Sequence, residues 1–145
     1  MAKNYFTEAE FTRSATAKKL GIKNTMLPIQ RQHFVQMRDD ILNPFREEWG
    51  TPIIVTSGFR CPALNQAVGG VKTSAHLFGW GIDMVPSGGR DVGELFDALK
   101  WWLLRKDKRF DQLLMERDSK GTEWVHFGYR NSQGLVRGTI DKINK

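Results

Sequence analysis

The chain has 145 residues, 40% of them hydrophobic and five of them tryptophan, which is enough for one compact domain with a true core. A net charge of +6 favours an anionic partner: nucleic acid, a membrane surface or a bacterial cell wall. The single cysteine, Cys61, excludes an internal disulfide and a multi-cysteine zinc site, and no apolar run is long enough to cross a bilayer.

Taken in order, the stretch from Met1 to Glu8 lacks the apolar segment of a secretory leader, so synthesis without a signal peptide is expected. Thr7 and Glu10 form a capping-box pattern, predicting a helix that runs through Phe11 and Ala15 to Leu20 and stops at Gly21. Phe34, Met37, Ile41, Phe45 and Trp49 recur at helical spacing, predicting a long helix over 29–49 that Pro44 kinks or splits. His33 falls on the polar side of that pattern and is expected in solvent.

Gly50 ends the helix, and 52–56 reads as a buried strand that delivers Arg60 to a loop. Pro62 opens a short helix ending before Gly69 and Gly70. Trp80, Ile82 and Met84 alternate with Gly81, Asp83 and Val85, predicting a strand that carries Asp83. Asp91 caps a helix with an apolar stripe of Val92, Leu95, Phe96, Leu99 and Leu103, followed by a basic exit over 105–109. Strands are expected over 111–115 and 124–129, then a turn at 131–134 and a short basic tail. Helices first and strands later, with one helix inserted, imply an α+β fold with a small, mostly antiparallel sheet: 1–50 helical, 51–145 sheet and site.

The chain has three histidines, and His76 and His126 sit in the two densest motifs. The segment from Ser74 to Asp83 sets His76 and Asp83 among glycines, and Glu123 precedes His126 as Glu-x-x-His. Two imidazoles and a carboxylate are a common ligand set for a catalytic zinc with one open position. Singly, His126 reads as a half-buried strand histidine and Asp83 as a strand-end turn residue; together with His76 the metal reading prevails. A spare glutamate has the chemistry of a general base. Glu123 raises a geometric problem, because positions three apart on a regular strand face opposite sides. To face the metal beside His126 it must lie in a turn or at a bulge. Glu116 is its rival. Arg60 is a candidate for holding a carboxylate or a developing oxyanion, or else forms a surface ion pair. Asn65 and Gly69-Gly70 shape the same loop, and Ser74 is positioned to orient His76.

As a set, Ser57-Gly-Phe-Arg60, Asn65, Gly69-Gly70, Ser74-Ala-His76, Gly79, Asp83 and Glu123-Trp-Val-His126 resemble the zinc D-Ala-D-Ala peptidase family. That family includes D-alanyl-D-alanine carboxypeptidases, dipeptidases and phage L-alanoyl-D-glutamate endopeptidases, and has the hedgehog/DD-peptidase fold. The stretches 5–11 and 21–24 also resemble its small phage and bacterial branch. The resemblance implies zinc bound by His76, Asp83 and His126, Glu123 as the base, and Arg60 on substrate or transition state. It implies hydrolysis of a peptidoglycan stem peptide by a monomer, made in a host cytoplasm and acting on an anionic cell wall as a lysin or virion component. Gly81 departs from the family pattern, which usually has alanine there, and Trp124 stands where some members carry another histidine. A non-catalytic wall-binding or phage assembly module with structural zinc is the alternative. A nucleic-acid-binding domain has only the positive charge in its favour, since no recognition motif supports it.

Overall fold

The computed structural model describes residues 3–145; Met1 and Ala2, the head of the stretch read for a leader, lie outside it. The N-terminal part is helical. Thr7 and Glu10 close the expected capping box, which starts α1 (Glu8–Thr12). The helix does not continue to Leu20. Arg13 turns extended, and Ser14 caps a second helix, α2 (Ala15–Leu20), by accepting the Ala17 N–H at 3.1 Å. A serine inside the pattern thus acts as a fresh start, because its hydroxyl competes for the backbone donors.

The long helical pattern divides into α3 (Pro28–Met37), a π turn (Arg38–Leu42) and α4 (Asn43–Trp49). Pro44 has no N–H, and its ring crowds the carbonyl one turn earlier. The turn before it widens, so that the Asn43 N–H reaches the Arg38 carbonyl. The apolar face stays continuous: Phe34, Met37, Ile41, Leu42 and Phe45 are all buried.

Five strands form one mixed sheet in the order β1-β2-β4-β3-β5, with β1 (Ile53–Ser57), β2 (Gly81–Pro86), β3 (Gln112–Arg117), β4 (Glu123–Gly128) and β5 (Thr139–Asn144). The first three pairings are antiparallel, and β5 lies parallel to β3. The tail, read from the sequence only as short and basic, is therefore an edge strand. Its two isoleucines are spaced by polar residues, and its lysines suit an exposed edge, so its apolar signal is faint.

One face of the sheet carries Ile82, Met84, Leu113, Val125 and Phe127, all fully buried. Against it packs α5 (Val92–Arg105), which contributes Leu95, Phe96, Leu99, Trp102 and Leu103. Each such side chain is worth about 1.5–3 kcal/mol relative to exposure. The other face, by strand alternation, presents Asp83, Leu114, Glu116, Trp124 and His126 to a cleft.

Candidate metal centre

Asp83 and His126 are direct partners in the β2–β4 ladder, and Leu114 of β3 partners His126 in turn. Their side chains therefore stand on one face, with His126 Nδ1 2.8 Å from Asp83 Oδ1. His76 comes from outside the sheet. It sits in a 3₁₀ turn (Ala75–Phe78) that Ser74 caps by accepting the His76 N–H at 3.2 Å. Gly79, in the left-handed region, then returns the chain to β2. His76 Nε2 lies 3.3 Å from Asp83 Oδ1, and its Nδ1 lies 2.7 Å from the Gly58 carbonyl. A neutral ring that donates from Nδ1 to this carbonyl leaves Nε2 free to bind a cation.

The three side chains are buried, and one ligating atom from each falls within 4.8 Å of the others. Burial favours the uncharged imidazole and lowers the His76 pKa. Burial alone would raise Asp83, but its electrostatic and hydrogen-bonding contacts with His76 and His126 outweigh it and hold the carboxyl well below its usual range. A neutral imidazole and an ionised carboxylate are the protonation states that a divalent metal requires of its ligands. The donor set, two nitrogens and one oxygen with a ring already oriented by a backbone carbonyl, fits zinc.

The helical N-terminal part braces this turn. Gln30 Nε2 donates to the Leu77 carbonyl at 3.2 Å. His33, expected in solvent, has Nδ1 2.7 Å from the Phe78 carbonyl and its ring stacked on Trp80 with centroids 3.7 Å apart. Helical phase within α3 could not reveal that the turn after Ser74 folds back onto its polar side. A β-carbon on Gly79 would come within 2.4 Å of the Gln30 carbonyl oxygen, so the close approach of α3 requires glycine there.

Arg60 leaves β1 as expected and enters the cleft. Its Nη2 is 3.7 Å from Asp83 Oδ2, Nη1 donates to Asn65 Oδ1 at 3.1 Å, and Nε donates to Ser57 Oγ at 3.3 Å. Burial lowers its pKa, against the opposing charges of Asp83 and Glu116, and a guanidinium remains protonated even so. Asn65 is itself buried and donates to the Val71 carbonyl at 3.0 Å, tying the arginine to the loop before Ser74.

The two glutamates separate cleanly. β4 pairs with β3 without a bulge from Arg117 opposite Glu123 to Gln112 opposite Gly128. By this register no bulge separates Glu123, the first residue of β4, from His126. Glu123 shares the parity of Val125 and Phe127, and its nearest cation is Arg117 at 3.8 Å. Glu116 has the parity of Leu114 and lines the cleft with His76, Asp83 and His126, only 5% exposed. Its Oε1 accepts the Trp124 indole N–H at 3.0 Å, and its Oε2 meets Lys145 Nζ at 2.8 Å. Sequence reasoning missed Lys145 because it missed β5.

The family profile described as Peptidase M15 matches residues 4–126, which takes in the helical part, all three candidate ligands and both glutamates. The chain belongs to the M15 peptidase family. Its members are zinc-dependent metallopeptidases, and the buried His76, Asp83 and His126 form the group here that can bind the metal. No curated protein matches the chain closely. Among the described residues, no helix of this M15 peptidase is long and apolar enough to cross a membrane.

Proposed function

We propose that this M15 peptidase hydrolyses an amide bond in the stem peptide of peptidoglycan, with zinc held by His76, Asp83 and His126. The observation that carries the reading is the cleft of about 630 Å³ in which these three side chains, Arg60 and Glu116 converge. When bound, zinc supplies Lewis acidity, polarising a carbonyl and making water acidic near neutral pH. Glu116 is the general base in this proposal, because it lines the cleft with the three candidate ligands, whereas Glu123 has the strand parity of the opposite face. Oε2 of Glu116, which keeps a lone pair beside its 2.8 Å contact with Lys145 Nζ, takes a proton from the attacking water and later gives it to the leaving amine. The indole of Trp124 holds the other oxygen and so fixes the carboxylate plane. Arg60, anchored by Asn65 and Ser57, supplies N–H donors to the carbonyl oxygen as negative charge develops there. The positive net charge suits an anionic wall, and a role as a phage lysin or virion component acting on it as a monomer belongs to the same proposal. A purely wall-binding module has no use for a buried carboxylate beside the ligands.

The test is mass spectrometry of purified peptidoglycan after digestion by the zinc-loaded protein, with and without chelator. New peptide termini that disappear with chelator and in a His76→Ala variant are expected, and their identity names the bond. Intact stem peptides after digestion by the zinc-loaded wild type would overturn the reading.

A further inference from the structure

On the wall of the cleft formed by β3 and the chain leading into β5 stands a second arginine, Arg137. Asp111, at the entry to β3 and 1% exposed, binds it on one edge: Nε to Oδ1 at 2.7 Å and Nη2 to Oδ2 at 2.8 Å. Asp111 Oδ1 also accepts the Arg137 backbone N–H at 3.1 Å, so both the main chain and the side chain of Arg137 are pinned. The Arg137 side chain is nevertheless 53% exposed.

A planar guanidinium has two edges that can each grip a carboxylate: the side edge through Nε and one Nη, and the end edge through both Nη atoms. Asp111 takes the side edge. Among the described residues, Nη1 makes no hydrogen bond, so the end edge remains open on the cleft. Arg60 differs, since Asn65 and Ser57 engage its donors and Asp83 and Glu116 surround it. Arg137 is thus a donor fork held rigidly in the cleft by a buried partner, so little rotamer entropy is lost when it binds a ligand. The neutral amides of Gln112 and Asn131 line the same cleft.

We propose that Arg137 determines substrate specificity: its end edge binds a free carboxylate carried by the peptide, on the β3–β5 side of the scissile bond. This rests on the peptidase reading above and names the substrate class as an acidic peptide. The alternative is that Arg137 only neutralises Asp111. That role would affect folding stability without distinguishing a carboxylate from its amide.

The experiment uses two stem peptides that are identical except that one glutamate-type residue bears either its free α-carboxylate or the carboxamide. Binding of each is measured by calorimetry to the metal-free protein, where the peptide stays intact, and cleavage is measured with the zinc-loaded protein. Wild type is expected to bind the acid roughly tenfold or more tighter than the amide, the scale of one charge-assisted bidentate contact. In Arg137→Gln the ratio falls to near one. Arg137→Lys keeps a cation for Asp111 while losing the end edge, so it also loses most of the preference even where the glutamine variant folds poorly. An acid-to-amide ratio in Arg137→Lys equal to that of wild type overturns the proposal, as does a wild type with no preference. Discrimination in binding by a wild type that cleaves neither peptide would sink the peptidase reading and leave the Arg137 assignment standing.

Discussion

Glu116 and Trp124 face each other across the β3–β4 ladder, and the indole N–H of Trp124 donates to Glu116 Oε1 at 3.0 Å. Because Trp124 is two positions before His126 in a regular strand, the pair is locked to the face that carries the candidate metal ligands. Glu116→Gln should therefore fold and keep its zinc but lose hydrolysis by ~10²–10⁴-fold, the usual share of a general acid–base. Glu123→Gln should stay within a few-fold of wild type. Wall-lysis rates of both variants, measured beside their zinc content, check this. A dead Glu123→Gln with an active Glu116→Gln would reverse the assignment.

A second prediction concerns Gly81, which stands where the resembled family pattern usually has alanine. A β-carbon there would meet the His76 backbone nitrogen at 2.8 Å and the Ala75 carbonyl carbon at 3.0 Å. Both belong to the turn that carries a candidate ligand, and neither is the far end of a flexible side chain. Gly81→Ala should push that turn off position and weaken zinc affinity by roughly 10–100-fold, the cost typical of disturbing groups that orient a ligand. Competition with a metal indicator reads the affinity directly. Unchanged affinity would mean that the turn shifts without moving His76 Nε2.

The metal triad was legible in the sequence because histidine is scarce here and two of the three fell into motifs that also held a carboxylate. The place of Arg60 in the cleft was legible because a short apolar strand ends at Ser57, just before Gly58, and hands the chain to a loop. The burial of Glu116 in the cleft and the parity of Glu123 were not legible, because they depend on whether β4 is bulged, and bulges leave no clear mark in a single strand. Strand β5 and the contact of His33 with Phe78 share another cause. Both are tertiary: an edge strand with two isoleucines docks on a sheet already formed, and a polar helix face is covered by a loop distant in sequence.

The third prediction follows from Tyr129, just beyond β4. Its hydroxyl donates to Asp40 Oδ2 at 2.7 Å, and Asp40 Oδ1 also meets Lys108 Nζ at 2.8 Å. Burial, and then the hydrogen bond to Asp40, push the Tyr129 pKa from 10.0 up to about 12. The folded state therefore keeps a proton that the unfolded chain releases. The resulting stabilisation is fully present below pH 10.0 and is lost as pH rises towards about 12. Urea midpoints measured across that window should fall with pH in wild type and fall less in Tyr129→Phe. Parallel curves for the two proteins would show that the hydrogen bond contributes nothing to the alkaline limit.

The last prediction separates turnover from metal binding at Arg60. Its three donor nitrogens are all directed: Nε to Ser57, Nη1 to Asn65, and Nη2 towards Asp83 at 3.7 Å. That Nη2 contact is longer than a hydrogen bond, so Arg60 neighbours the ligand carboxylate without being needed to hold it. Gly70 confirms how closely the loop wraps this side chain, since a β-carbon there would lie 2.8 Å from Arg60 Nη1 and 2.1 Å from Asn65 Oδ1. Lysine in this socket retains a charge but can satisfy neither the Asn65 nor the Ser57 contact with the same planar fork. Arg60→Lys should therefore bind a full equivalent of zinc while hydrolysis falls by ~10²–10³-fold, the loss typical of removing one donor to a developing oxyanion. The drop should appear in kcat more than in KM, because the contact matters most when the carbonyl oxygen has become negative. Wild-type kcat in Arg60→Lys would leave the arginine with the sole task of anchoring Asn65 and its loop.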